Sequence, residues 1–140
     1  MIEKLLPSFA PFRHVTSMSR WQQIEQKGLD PKFGEFTFAG RGEPAVCLCT
    51  AETLEDAVRL AGTRYSKESH LAVIQVDVGA LLRKKLGPDT SFERGLDDLE
   101  ESLREGNLCC YELIRPEELR LECTVENKDA FIDPADYEDV

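Results

Sequence analysis

A strand that hands over directly to a capped helix constrains this chain more than any other feature. Residues 12–16 (Phe12-Arg13-His14-Val15-Thr16) read as a short extended run ending in an apolar-flanked His-x-Thr. Ser17 or Ser19 then caps a helix by accepting from an unpaired backbone N–H. Met18, Trp21 and Ile24 recur at helical spacing, and Gly28 supplies a left-handed stop. The run therefore sets His14 and Thr16, two residues apart, on one face at the end of a strand.

The remaining segments alternate in type. Residues 30–44 hold prolines near both ends and three glycines, an irregular loop with a short strand expected at Phe36-Thr37-Phe38. Residues 45–50 form a compact apolar strand. Leu54, Ala57, Val58 and Ala61 follow at i, i+3, i+4 and i+7 of a helix that Thr53 is placed to cap and that frays near Gly62. Leu71 to Val78 is the strongest strand, with Ile74, Val76 and Val78 on one face. A helical turn is expected over 79–85, and Leu96, Leu99 and Leu103 mark a helix ending at Gly106. Residues 108–114 and 119–125 read as strands. Helices and strands interleave first and strands cluster last, at spacings too short for a run of crossover units. The pattern predicts an α+β fold on a mixed sheet rather than a doubly wound parallel one. There is no G-x-G-x-x-G and no P-loop, so phosphate sites of those kinds have no support.

At 140 residues the chain has the length of one domain. A domain of this size buries about two-thirds of its unfolded surface and needs no disulfide or metal to fold. No apolar run approaches the ~20 residues of a bilayer span. The start, MIEKLLPSFAPF, carries an acid and two prolines, unlike a secretory signal. The five cysteines (47, 49, 109, 110, 123) contain no C-x-x-C, and neither His14 nor His70 lies near a cysteine pair. Buried, reduced thiols in a cytoplasmic protein, without a metal, are the expectation. The net charge of −10 argues against a non-specific nucleic-acid binder. Acids gather at the end, dividing the chain into a folded domain over 1–126 and an acidic tail over 127–140.

In order along the chain stand His14-Val15-Thr16, Gly28-Leu29, Ala45 to Thr50, Asp56-Ala57, Ala72 to Val78, and Glu112-Leu113-Ile114-Arg115-Pro116. This order resembles the small members of the ADP-ribosyltransferase superfamily, whose fold is shared by diphtheria-type toxins, poly-ADP-ribose polymerases and RNA 2'-phosphotransferases. The likeness spans about 110 residues. It implies an ADP-ribosyltransferase-like split mixed sheet with flanking helices, and NAD as the substrate. It also implies transfer of ADP-ribose to a macromolecular acceptor, or to water as an NAD glycohydrolase. The matching residues are Glu112 as the catalytic carboxylate, His14 on the adenosine-side ribose, and Thr16 and Thr50 ordering the cleft. Tyr65 is the candidate for stacking on nicotinamide, and Arg13 stands beside His14 as a further candidate for binding NAD. Where arginine-modifying toxins carry E-x-E, this chain has Cys110, so arginine modification is not implied.

The chemistry agrees with such a site. Cleaving the nicotinamide–ribose bond develops positive charge on the ribose, as in glycoside hydrolysis, and one placed carboxylate stabilises it. Plainer readings stand beside this one. His14 suits a satisfied core histidine as well as a ligand. Glu112 suits solvent as well as a cleft, although sharing a face with Leu108 and Cys110 makes an inward acid costly without a site. Trp21 reads as core, and Arg41 as a loop cation within reach of a pyrophosphate or in solvent. A protein acceptor fits the acidic surface better than a nucleic acid. The alternative function is a catalytically inactive domain of the same fold that binds a nucleotide or a protein partner.

Overall fold

A computed structural model describes residues 2–32, 44–88 and 98–128. The strand expected at Phe36-Thr37-Phe38, the candidate Arg41, Leu96 and the tail beyond Lys128 lie outside these residues. A short helix α1 (Ile2–Leu5) and a 3-10 turn (Leu6–Phe9) lead into strand β1 (Phe12–Ser17), which passes without a loop into α2 (Met18–Lys27). Then come β2 (Val46–Cys49), α3 (Leu54–Arg64), β3 (His70–Val76), α4 (Val78–Leu81) and β4 (Leu86–Gly87). The order closes with α5 (Leu99–Arg104), β5 (Asn107–Cys110), a 3-10 turn (Pro116–Glu118) and β6 (Leu119–Glu126). The fold is α+β, as the element order predicts. The six strands hydrogen-bond in the order β4-β5-β2-β1-β3-β6. Every described pairing is antiparallel, which corrects the expectation of a mixed sheet.

One face of the sheet carries the apolar core. In β1, Phe12, His14 and Thr16 stand opposite Val76, Ile74 and Ala72 of β3. Val46, Leu48, Leu108 and Cys110 join the same core, and Trp21 and Ile24 of α2 pack into it. The helix is aimed there because Ser17, the last strand residue, caps it by accepting from Arg20 N–H at 3.2 Å. The opposite face is covered too: α3 packs on β1 and β3, where Leu71 and Val73 are buried. Thr53 does not cap α3 as expected; its hydroxyl donates to the carbonyl of Gly106 instead.

The strand read over 71–78 ends at Val76, where Asp77 caps α4, and two further boundaries, the end of β5 and the start of the tail, differ from the sequence reading. The run 108–114 breaks after Cys110. There the Glu112 carboxylate takes the Lys85 N–H that a continuing ladder would have paired with the backbone. Ile114 is instead tied to Leu29, each N–H donating to the other's carbonyl, at 2.8 and 3.0 Å. Asn127, set in the tail by its sequence position, is buried. Its side-chain amide donates to the carbonyls of Gly62, Tyr65 and Glu68 at 3.1, 3.2 and 2.9 Å. It thereby satisfies the Gly62 carbonyl, one of the last four of α3, and ties the helix to the turn that follows it. Asn127→Ala is expected to cost about 2 kcal/mol, since those acceptors lose their donor inside the fold. Urea unfolding checks this; an unchanged midpoint would mean that water replaces the amide.

Candidate functional site

The site begins where the sheet's ladder is interrupted. β1 and β2 pair at Arg13–Cys49 alone. Carrying that register forward would set Val15 opposite Cys47, and the Cys47 carbonyl, turned toward β1, would take a backbone N–H. It takes the His14 imidazole instead, with Nδ1 at 2.9 Å. A carbonyl only accepts, so Nδ1 carries the proton, and in the neutral ring Nε2 is the acceptor. The ring is neutral: burial pushes the His14 pKa down to about 4. The Cys47 carbonyl, next in size, works against that shift, and the positive charges of Arg64 and Arg20 add to it.

This makes an acid-sensitive element. Between about pH 4 and pH 6.5 the unfolded chain binds a proton that the folded chain refuses, so stability rises with pH across that window. Going from pH 7 to pH 4, this one group is expected to cost about 3 kcal/mol. Glu118 acts in a different window. Burial would raise its pKa, but the Arg115 N–H and Lys84 (2.9 Å) outweigh that and hold it low, so its contribution fades only in stronger acid. The slope of the urea midpoint between pH 6.5 and pH 5 therefore reports His14. His14→Gln, whose amide can still donate to Cys47, is expected to flatten it; a slope unchanged in that variant would assign it elsewhere.

Thr16 lies two residues on. It is fully buried, and its hydroxyl oxygen has no hydrogen-bond partner among the described residues. Thr50 is not brought to this place. It sits at the far end of β2, where its hydroxyl accepts from Glu52 N–H at 3.3 Å and its N–H donates to Gly106 at 3.1 Å. It shapes the β2–α3 turn. Arg13 alternates to the other face of β1, where its Nε donates to both carboxylate oxygens of Glu122 of β6, at 2.9 and 3.1 Å. Tyr65, half-buried, ends α3 one residue beyond Arg64, whose charge reaches His14.

Glu112 lies just past β5, on the third strand from β3 by way of β1 and β2. The registers set Cys110 level with Val46, and by extension with Thr16, so the chain carries Glu112 beyond the same end of β1 that bears Thr16. At the level of the Arg13–Cys49 pair, two strand spacings separate β1 from β5, ~10 Å across. Glu112 is exposed, and its Oε2 accepts from the Lys85 N–H. A carboxylate accepts through both oxygens, which leaves Oε1 for a ligand hydroxyl.

Two of the cysteines near the site, Cys49 and Cys110, are poor nucleophiles: burial raises Cys49 to about 11 and raises Cys110 as well. Among the described residues no group of three or more His, Cys, Asp or Glu side chains converges as a metal site, and no helix is long and apolar enough to cross a membrane. Sequence reasoning missed Arg20 as a neighbour of His14. The signal for Arg20 was present: a helix that starts without a loop must set its first turn beside the end of the strand. No protein-family model matches the chain, and a search of curated proteins finds no match.

Proposed function

We propose that the chain is an ADP-ribosyltransferase-like enzyme that consumes NAD, passing ADP-ribose to a macromolecular acceptor or to water. The observation that carries this reading is the pair on β1: a neutral imidazole with its tautomer set by Cys47, and beside it a buried threonine hydroxyl without a partner among the described residues. A buried unsatisfied hydroxyl costs about 1–3 kcal/mol, and a ribose hydroxyl would supply what it lacks. His14, beside it on the strand, would bond the adenosine-side ribose of the same dinucleotide. Glu112, past the same end of β1, offers Oε1 to the nicotinamide-side ribose and counters the positive charge that develops as nicotinamide leaves. The net charge of −10 favours a protein over a nucleic acid as acceptor.

A binding-only domain of the same fold is the second reading. The exposure of Glu112 and its bond to Lys85 favour it, since a transition-state carboxylate works best where water is excluded. Incubation with NAD separates the two. Nicotinamide release supports the enzyme; heat stabilisation by NAD without release supports the binder. Neither effect would overturn both. Thr16→Val adds a diagnostic with opposite signs. The apo protein is expected to gain about 1 kcal/mol as the orphan hydroxyl disappears, while the shift in melting temperature on adding NAD shrinks. A variant that gains nothing and binds NAD unchanged would remove Thr16 from the site.

A further inference from the structure

Cys47 of β2 and Cys109 of β5 stand directly opposite each other, and their backbone parity sets how close they are. Gly87 of β4 pairs with Cys109, and Tyr111 N–H donates to Lys85 O at 2.9 Å. Residues 109 and 111 thus turn their backbone groups to β4, while 108 and 110 turn theirs to β2. The Thr50 N–H to Gly106 bond at 3.1 Å gives the same parity from the other end. Cys47 and Cys109 are therefore a non-hydrogen-bonded pair, the kind whose side chains approach closest. In such pairs the Cα atoms lie ~4.5 Å apart and the Cβ atoms ~4.5–5.5 Å apart. A disulfide needs Cα atoms ~4.4–6.8 Å apart and Cβ atoms ~3.5–4.5 Å apart, so a movement of about 1 Å suffices.

We propose that Cys47 and Cys109 form a thiol–disulfide exchange site that takes small disulfides of the oxidised-glutathione class and closes to a bond between β2 and β5. Cys47 is partly exposed and Cys109 is buried, which assigns the order of events. The Cys47 thiol loses its proton and attacks one glutathione sulfur, releasing one glutathione thiol and leaving a mixed disulfide. Cys109 then attacks the Cys47 sulfur, loses its proton and releases the second glutathione thiol. One small disulfide is reduced to two thiols, and two protein thiols become one disulfide. Cys49 shares the face but is a diagonal neighbour with a thiol that burial holds protonated, and Cys110 points to the other face. Because Cys47 is partly exposed, the bond would be open to reduction, which suits a reversible modification. The Cys47 carbonyl also holds His14, so the bond would form on the residue that orients the imidazole.

The experiment needs no NAD, so its outcome is independent of the proposed activity. The reduced chain is incubated with oxidised glutathione, unfolded in acid and measured by intact mass, thiol titration and peptide mapping. The expected result is the loss of two hydrogens, a fall from five titratable thiols to three, a bond mapping to Cys47–Cys109, and reversal by excess reduced glutathione. Cys109→Ser is expected to retain glutathione on Cys47. Five thiols remaining, a link between any other pair, or glutathione retained by the natural chain would each overturn the proposal. The mapping on the natural chain stands even where the variant folds poorly.

Discussion

Glu112→Gln is expected to lower nicotinamide release from NAD by about 10²–10³-fold, the loss seen when one transition-state-stabilising group is removed from an active site. The substitution keeps shape and keeps an oxygen that can accept from Lys85 N–H, so what it removes is the negative charge. Glu112 is exposed, and exposed positions away from special features shift stability by less than about 0.5 kcal/mol. Activity should therefore fall while the urea midpoint stays in place. Glu117→Gln, another exposed acid five residues on, controls for a general change of surface charge and is expected to leave release unchanged. Equal turnover by Glu112→Gln and the natural chain would take catalysis away from this carboxylate.

The second large effect is structural. Gly28→Ala is expected to destabilise the fold by about 4 kcal/mol, a large part of the 5–15 kcal/mol available to a typical domain. Two causes add. Gly28 has φ +82° and ψ −177°, a region open only to glycine, where any other residue pays about 1–3 kcal/mol. A Cβ there would also run into the carbonyl oxygen of Ile114, a backbone atom already bonded to Leu29 N–H at 2.8 Å. Making room means moving the segment that follows Glu112, so a folded remnant of this variant should also lose NAD turnover. Gly79→Ala is the matched control: its Cβ would meet only the Asp77 carboxylate at 3.4 Å, an ordinary contact. A Gly28 variant as stable as the Gly79 variant would show that the Leu29–Ile114 tie yields freely.

By itself the sequence determined the local structure. Period, joined at α2 by capping, marked β1, α2, β2, α3 and β3 close to their observed limits. Ser17 and Gly28 bounded α2 because a cap and a left-handed stop act through bonds only a few residues long. His14 and Thr16 were readable as partners for the same reason: alternation along one strand puts them on one face. What the tertiary structure decided was every relation across the sheet. The halt of the β1–β2 ladder after Arg13–Cys49, the claim of His14 on Cys47, the turning of Arg13 to Glu122, the separation of Thr50 from Thr16 and the clamp of Asn127 on α3 all join residues more than thirty positions apart. Strand order and register arise from which apolar faces can be buried together, a property of the whole chain that no local period encodes.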